Sequence, residues 1–451
     1  MRERNVLKIM SSHTKRDSWS SQWGFILSCI GSAVGMGNIW LFPARVSAYG
    51  GATFLIPYLI FVVIIASTGV IGEMAFGRAT RSGPVGAFAQ ATEQRFGSQR
   101  PGRILGLIPV LGSLALAIGY SVVVGWIFKY LFLSFSGSLM TVSDVGAFED
   151  LFNATAASNI AWQILGMAVT LGIMAFGIGK GIEKANKLMI PLFYALFIGL
   201  AVYLLTLPGA SDAYKYIFLL DPAGLRDPMV WVFALGQAFF SLSIAGNGTL
   251  IYGSYLSKKA NIPSDARMVA LFDTLAAILA ALVILPAMAV AGQQLTTGGP
   301  GLMFIFLPNV LKSIPGGSVL LVIFFLAVIF AALTSLVNLY EAPTATLQEQ
   351  FHLSRRVAVS VVGIVGIVVG LIIAPSVSPW MDVCSIYICP LGALLAAVMF
   401  FWCCKKDFVL EQVNLARSKP LGGWFYPMAK YVLCCVTVLV LILGAVNKGI
   451  G

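Results

Sequence analysis

The run Gly31-Ser32-Ala33-Val34-Gly35-Met36-Gly37-Asn38 lies in the middle of an otherwise apolar stretch, residues 20–46. Three glycines and an asparagine are poor material for a helix interior, where each Gly costs about 1 kcal/mol relative to Ala. A second run, Ser241-Leu242-Ser243-Ile244-Ala245-Gly246-Asn247-Gly248, interrupts the stretch 229–256 in the same manner. Glycines also let helices pack closely. Two breaks at matching places argue for more, because open backbone in an apolar medium is tolerated only where it lines a cavity or binds something.

That the medium is apolar follows from composition. Of 451 residues, 59% are hydrophobic and 10% charged, too few charges for a water-facing surface. Eleven stretches, near 20–46, 52–77, 103–133, 161–179, 186–207, 229–256, 266–292, 317–348, 356–374, 379–404 and 428–447, are each long enough to cross roughly 30 Å of hydrocarbon as a helix. The expected fold is an all-α membrane protein with 11 transmembrane helices. Stretches one and six correspond if the first ten form two halves of five; five is odd, so the second half is inverted. The expected organisation is a cytoplasmic tail (1–19), a first repeat (20–207), a second repeat (229–404), and a cytoplasmic loop with the last helix (405–451).

A net charge of +11 would suggest nucleic acid in a soluble protein, but here its placement matters more than its sum. Arg78, Arg81, Arg95, Arg100 and Arg103 share one connection, and Lys180, Lys184, Lys187, Lys258, Lys259, Arg267, Arg355, Arg356, Lys405, Lys406, Arg417 and Lys419 fill alternate later ones. These connections are expected in the cytoplasm. The segment 135–160 carries Asp144, Glu149 and Asp150 and no basic residue. The first 19 residues are polar and basic, unlike a cleavable signal peptide. With the N-terminus inside, eleven spans put the C-terminal end outside. Cys29, Cys384, Cys389, Cys403, Cys404, Cys434 and Cys435 sit in or at the ends of apolar stretches and read as reduced packing residues.

Several function classes fit poorly. A channel needs a continuous polar pore, and no ring of acidic or repeated filter residues is visible. An enzyme is not expected: the only histidines are His13 and His352, and no HExxH or GxSxG run occurs. Proton coupling through Asp273 or Glu73 and a substrate sensor remain as alternatives to a sodium-driven transporter.

The segment from Trp23 through GSAVGMGNIWLFP to YGGATFLIPY resembles the opening of the neurotransmitter:sodium symporter family, in its bacterial amino-acid-transporting branch, typified by the bacterial leucine transporter. The resemblance continues in GQAFFSLSIAGNGTLIYGSY (236–255), AALTS (331–335) and Met381-Asp382. It implies a sodium-coupled symporter that imports a hydrophobic or aromatic amino acid by alternating access, with two sodium sites and no organic cofactor. The first site would use the Ala33 carbonyl, Asn38, Ser241, Asp273 and the substrate carboxylate. The second would use carbonyls of Gly31, Val34 and Ala331 with the hydroxyls of Thr334 and Ser335; a back-bond to the preceding turn is the ordinary use of such hydroxyls.

A lone carboxylate in a membrane span costs on the order of 3 kcal/mol and marks an ion or proton path. Asp273 is therefore expected to supply the charge that chloride supplies in relatives with neutral residues there, making transport chloride-independent. Amine-carrying relatives place an aspartate where this chain has Gly35, so the expected substrate brings its own carboxylate, bonded by Tyr120. Its side chain would meet Leu116, Phe240, Ser243, Gly246, Ser335 and Leu339, with Gly37 and the broken backbone beside it. The bulk missing at Gly246 favours a large side chain. The family's outer-gate arginine is absent at Leu41; Arg45, one turn on, is expected to take its place with Asp382, the alternative being an interfacial anchor. An inner latch would pair Arg16 with Glu349. The eleven-helix count resembles bacterial members and points to a bacterial inner (plasma) membrane, with lipid, sodium and amino acid as partners and no nucleic acid.

Overall fold

The computed structural model of the chain describes residues 17–244, 246–292, 295 and 298–450. Arg16 and most of the expected tail lie outside the described residues. Helices dominate: α1 (Gln22–Ala33), α2 (Gly37–Ala48), α3 (Ala52–Thr80), α4 (Pro84–Phe96), α5 (Arg100–Phe135), α6 (Val145–Ala157), α7 (Ile160–Ala175), α8 (Ile178–Leu205), α9 (Ala210–Phe218), α10 (Pro228–Ser241), α11 (Gly248–Gly253), α12 (Ile262–Val290), α13 (299–313), α14 (Gly317–Phe351), α15 (Arg355–Ile373), α16 (377–403), α17 (Lys406–Asn414) and α18 (Phe425–Val446). Their starts follow the local chemistry. Ser21 accepts the Gly24 N–H, Asp144 that of Ala147 and Asp227 that of Met229, each satisfying a donor that the first turn leaves open.

Among the described residues, seven helices are long and apolar enough to cross a membrane, or up to nine if each bent pair forms one span; the segment Arg355–Cys403, 49 residues long, counts as one of them although it contains α15 and α16. The distribution of apolar side chains suits lipid. On α15, Ile364, Val368 and Ile372 recur every fourth residue on an exposed stripe, and on α8, Ile198, Val202 and Leu205 follow one another at steps of four and three. Such faces would drive aggregation in water and are at home in hydrocarbon. The protein is a multi-pass membrane protein.

α14 and α5 form the centre: 72% and 67% of their apolar windows are buried, against 28% for α8 and 33% for α18. α1 rests on α8, α12 and α14, while α10 and α11 pack against the two ends of α3. The chain alternates between two faces. One carries Trp19, Arg78, Lys258, Glu349 and Arg355 and is called here the basic face; the opposite face carries Arg45, α9 and Asp382.

The observed helices follow the expected stretches closely, for instance 52–80 against 52–77 and 100–135 against 103–133. The connecting helices α4, α6, α9, α13 and α17 were not expected. They are short or mixed in polarity, so no long apolar run announces them.

Candidate functional site

Both glycine runs break their helices. α1 stops at Ala33; Val34, with ψ of 107°, leaves helical geometry, and α2 resumes at Gly37 at an angle of 52° to α1. α10 stops at Ser241 and α11 starts at Gly248, with Ser243 and Asn247 at φ of 56° and 51°. Positive φ is costly for residues with a Cβ and collects at functional sites. The two breaks cross each other in the interior: Ser243 Oγ donates to the Ser32 carbonyl at 2.7 Å, and Gln237 Nε2 to the Gly37 carbonyl at 3.2 Å.

A third helix meets them. Asp273, buried in α12, accepts from Asn38 Nδ2 at 2.8 Å and from Ser241 Oγ at 2.6 Å, so one carboxylate joins one residue from each broken helix. Asn38 Nδ2 also reaches Ser241 Oγ at 3.1 Å, while Asn38 Oδ1 accepts the Gly35 N–H at 3.2 Å. With Ala33 at the adjacent helix end, the residues expected at the first sodium site fall together. Among the described residues no group of three or more His, Cys, Asp or Glu side chains gathers. The cluster is instead one carboxylate among neutral oxygens, the donor set of a hard cation of low charge.

The second expected set also converges. Ser335 Oγ lies 3.1 Å from the Gly31 carbonyl and 3.0 Å from that of Val34. Thr334 Oγ1 donates back to the Phe330 and Ala331 carbonyls, both at 3.0 Å, the ordinary helical use of a hydroxyl. Tyr120 Oη accepts the Met36 N–H at 3.3 Å. A Cβ on Gly35 would stand 2.9 Å from Ser335 Oγ and 3.2 Å from Tyr120 Oη, so a carboxylate side chain there would crowd both. Gly246 faces Leu339, where a Cβ would come 3.4 Å from Leu339 Cδ2. Leu116 is partly buried against the core, and Phe240 lines a cavity of about 110 Å³ on the opposite face.

Arg45 and Asp382 line that same cavity. No ion pair within 4 Å joins them among the described residues; the Arg45 guanidinium instead lies 3.8 Å over the Phe233 ring. On the basic face Glu349 accepts from Ser82 Oγ at 2.6 Å and from the Gly83 N–H at 2.9 Å, at the start of α4. The Arg16 half of the expected latch lies outside the described residues.

Several polar residues have structural roles near the breaks that the sequence reading did not assign, although it named Glu73 as a possible proton carrier. Glu73, buried in α3, accepts from Asn247 Nδ2 at 3.0 Å and from Thr249 Oγ1, holding the start of α11. Asn338, one turn beyond Thr334, donates to the Gly248 carbonyl at 3.4 Å. Glu183 on α8 accepts from Ser20 N–H, Ser20 Oγ and Ser21 Oγ at 2.6–2.8 Å and pairs with Lys187 at 2.6 Å. Glu341 on α14 takes a bidentate bond from Arg355, at 3.0 and 2.8 Å, and a third from Tyr255 Oη at 2.6 Å. For Glu73 and Glu341 a carboxylate inside an apolar stretch was the available signal; Asn338 and Glu183 carried none.

Comparison with known proteins accounts for this architecture. The chain is 30% identical to an uncharacterized sodium-dependent transporter, YhdH, of Bacillus subtilis, over 97% of this chain and 98% of that one. It is likewise 30% identical to an uncharacterized sodium-dependent transporter, MJ1319, of Methanocaldococcus jannaschii, over 97% and 92% of the two chains. The solved structure of MhsT in complex with L-phenylalanine superimposes with a TM-score of 0.82 at 34% identity, covering 95% of this chain and 99% of MhsT. The model of the sodium:neurotransmitter symporter family matches residues 16–143 and 153–449, and the chain, with its two crossed helix breaks, belongs to that family of sodium-dependent transporters, which are not enzymes.

Proposed function

We propose that this protein is a sodium-coupled symporter that imports a hydrophobic or aromatic amino acid by alternating access, without need of chloride. The observation that carries the reading is the Asp273 carboxylate held between Asn38 and Ser241. Sodium placed among these oxygens would replace the Asn38 amide hydrogens as the carboxylate's positive partner, with the amide turned to offer its oxygen. The Ala33 carbonyl and the carboxylate of the amino acid complete the site, so substrate and ion bind better together. The fixed charge of Asp273 makes an added anion unnecessary. The second sodium site comprises Gly31, Val34, Ala331, Thr334 and Ser335.

The amino acid's carboxylate lies beside Gly35, Gly37 and the Tyr120 hydroxyl. Its side chain lies against Leu116, Phe240, Ser243, Gly246, Ser335 and Leu339, which carry no charge to pair with it. The complex of MhsT with L-phenylalanine supports a substrate of this class. The first ten of eleven spans form two halves of five, the second inverted, with one further span after them, and the distribution of Lys and Arg places the basic face in the cytoplasm of a bacterial cell. Arg45 with Asp382 closes the outer side, and Arg16 with Glu349 latches the inner one.

The test is uptake of a labelled amino-acid panel into proteoliposomes under an imposed sodium gradient, with choline as the control cation and no chloride. Accumulation of hydrophobic amino acids only with sodium is expected. Equal uptake in choline would overturn the coupling, and uptake that requires added chloride would overturn the role given to Asp273.

A further inference from the structure

α8 lies on α1 along a line of small residues. Gly24 and Gly31, two turns apart on one face of α1, leave room for Glu183 and Asn186, three residues apart on α8: a Cβ on Gly24 would stand 2.0 Å from Glu183 Oε1, and one on Gly31 2.1 Å from Asn186 Oδ1. Glu183 is fully used by Ser20, Ser21 and Lys187. Asn186 is not. Its Nδ2 donates back along α8 to the Ile182 carbonyl at 2.9 Å, which turns the oxygen toward Gly31. Asn186 is buried to 1% exposure, and Oδ1 has no hydrogen-bond donor.

A buried amide oxygen without a donor carries a desolvation cost and calls for a partner. Among the described residues no polar hydrogen fills that role. A Cβ built on Gly31 would meet both Asn186 Oδ1, at 2.1 Å, and Thr334 Cβ, at 2.8 Å, so the amide oxygen and Thr334 flank the same point of α1. Gly31 and Thr334 are two of the residues assigned above to the second sodium site, whose other ligands come only from the α1 break and from α14.

We propose that Asn186 Oδ1 is a further oxygen of the second sodium site, contributed by α8, and that the bound ion thereby ties α8 to α1 and α14. The inference rests on the proposed function. It adds a third helix to that site, so that loss of sodium frees α1 from α8 at the level of Gly31 while Glu183 still holds the end of α1.

The experiment is a sodium titration of the purified full chain in detergent, with choline holding ionic strength constant and the unfolding temperature as readout. The unaltered protein, Asn186→Ala and Asn186→Asp are compared. Sodium should stabilise the unaltered protein. Asn186→Ala should need about ten-fold more sodium for half of the effect, while Asn186→Asp, which keeps the shape and adds charge, should need less. Their unfolding temperatures in choline alone should stay close to that of the unaltered protein. A half-effect concentration unmoved in Asn186→Ala, or no tighter in Asn186→Asp, would overturn the proposal, as would equal losses of stability in choline for both, the mark of a packing role. Where Asn186→Ala does not fold, Asn186→Asp alone decides. A sodium response in the unaltered protein with no effect of either variant removes this inference only; no sodium response in the unaltered protein removes the proposed function with it.

Discussion

The two faces of the transporter are held by different means. On the basic face, Trp19 donates to the Tyr252 carbonyl at 3.1 Å and packs edge-on against Phe25, Tyr252 and Tyr255, Glu183 grips the start of α1, and Arg355 clamps Glu341 with Asp17 3.8 Å away. On the opposite face the two charges nearest the site, Arg45 and Asp382, share a cavity without an ion pair between them. One side is closed by buried, charge-assisted bonds and the other is left open to rearrangement. A molecule built this way rests with its basic face shut, and the difference can be attacked from either end.

The largest effect is expected at the Glu341–Arg355 pair. Arg355→Ala leaves a fully buried carboxylate without its partner, a change that costs about 3–5 kcal/mol in buried pairs. The bonds lost join α15 to α14 through Glu341 and to α7 through the Met174 carbonyl, so the basic face should open. Cys29, buried in α1, is a native reporter: in a protein whose other cysteines are replaced, its labelling by a permeant maleimide should rise at least about ten-fold, with uptake nearly abolished. Labelling that stays at the level of the unaltered protein would mean that the pair does not govern this face.

A smaller effect is expected from Glu183→Gln. The amide can still accept from Ser20 or Ser21 but loses the charge that strengthens those bonds, about 1 kcal/mol or somewhat more. Cys29 labelling should rise about three-fold and partial uptake remain. Arg45→Ala belongs to the other face and should leave Cys29 labelling unchanged while slowing uptake several-fold. Uptake at the original rate would reduce Arg45 to an interfacial anchor stacked on Phe233.

How far the sequence carried these conclusions depends on the range of the interaction concerned. Long apolar stretches and mid-stretch glycines are local, and they placed α3, α5 and both breaks within a few residues. The meeting of Asn38, Ser241 and Asp273 was legible only through resemblance, since they are far apart in the chain and no spacing rule joins them. The short helices α4 and α6 were hidden by mixed polarity. The roles of Glu183 and Asn186 were hidden differently: each is an unremarkable helix residue until packing brings it to Ser20 or Gly31, while Glu341 stands out in its apolar stretch but its partner Arg355 does not. Buried polar groups are informative once their partners are known, and the sequence does not name the partners.

The central claim is that substrate and sodium meet at one cluster formed by both broken helices and Asp273. The most direct test is the sodium affinity of the purified protein with and without saturating L-phenylalanine. If the amino acid's carboxylate completes the ion's coordination, its presence should tighten sodium binding by about ten-fold or more, sodium should tighten phenylalanine binding by the same factor, and Asp273→Ala should erase both effects. Sodium and phenylalanine binding independently to the unaltered protein would contradict the account.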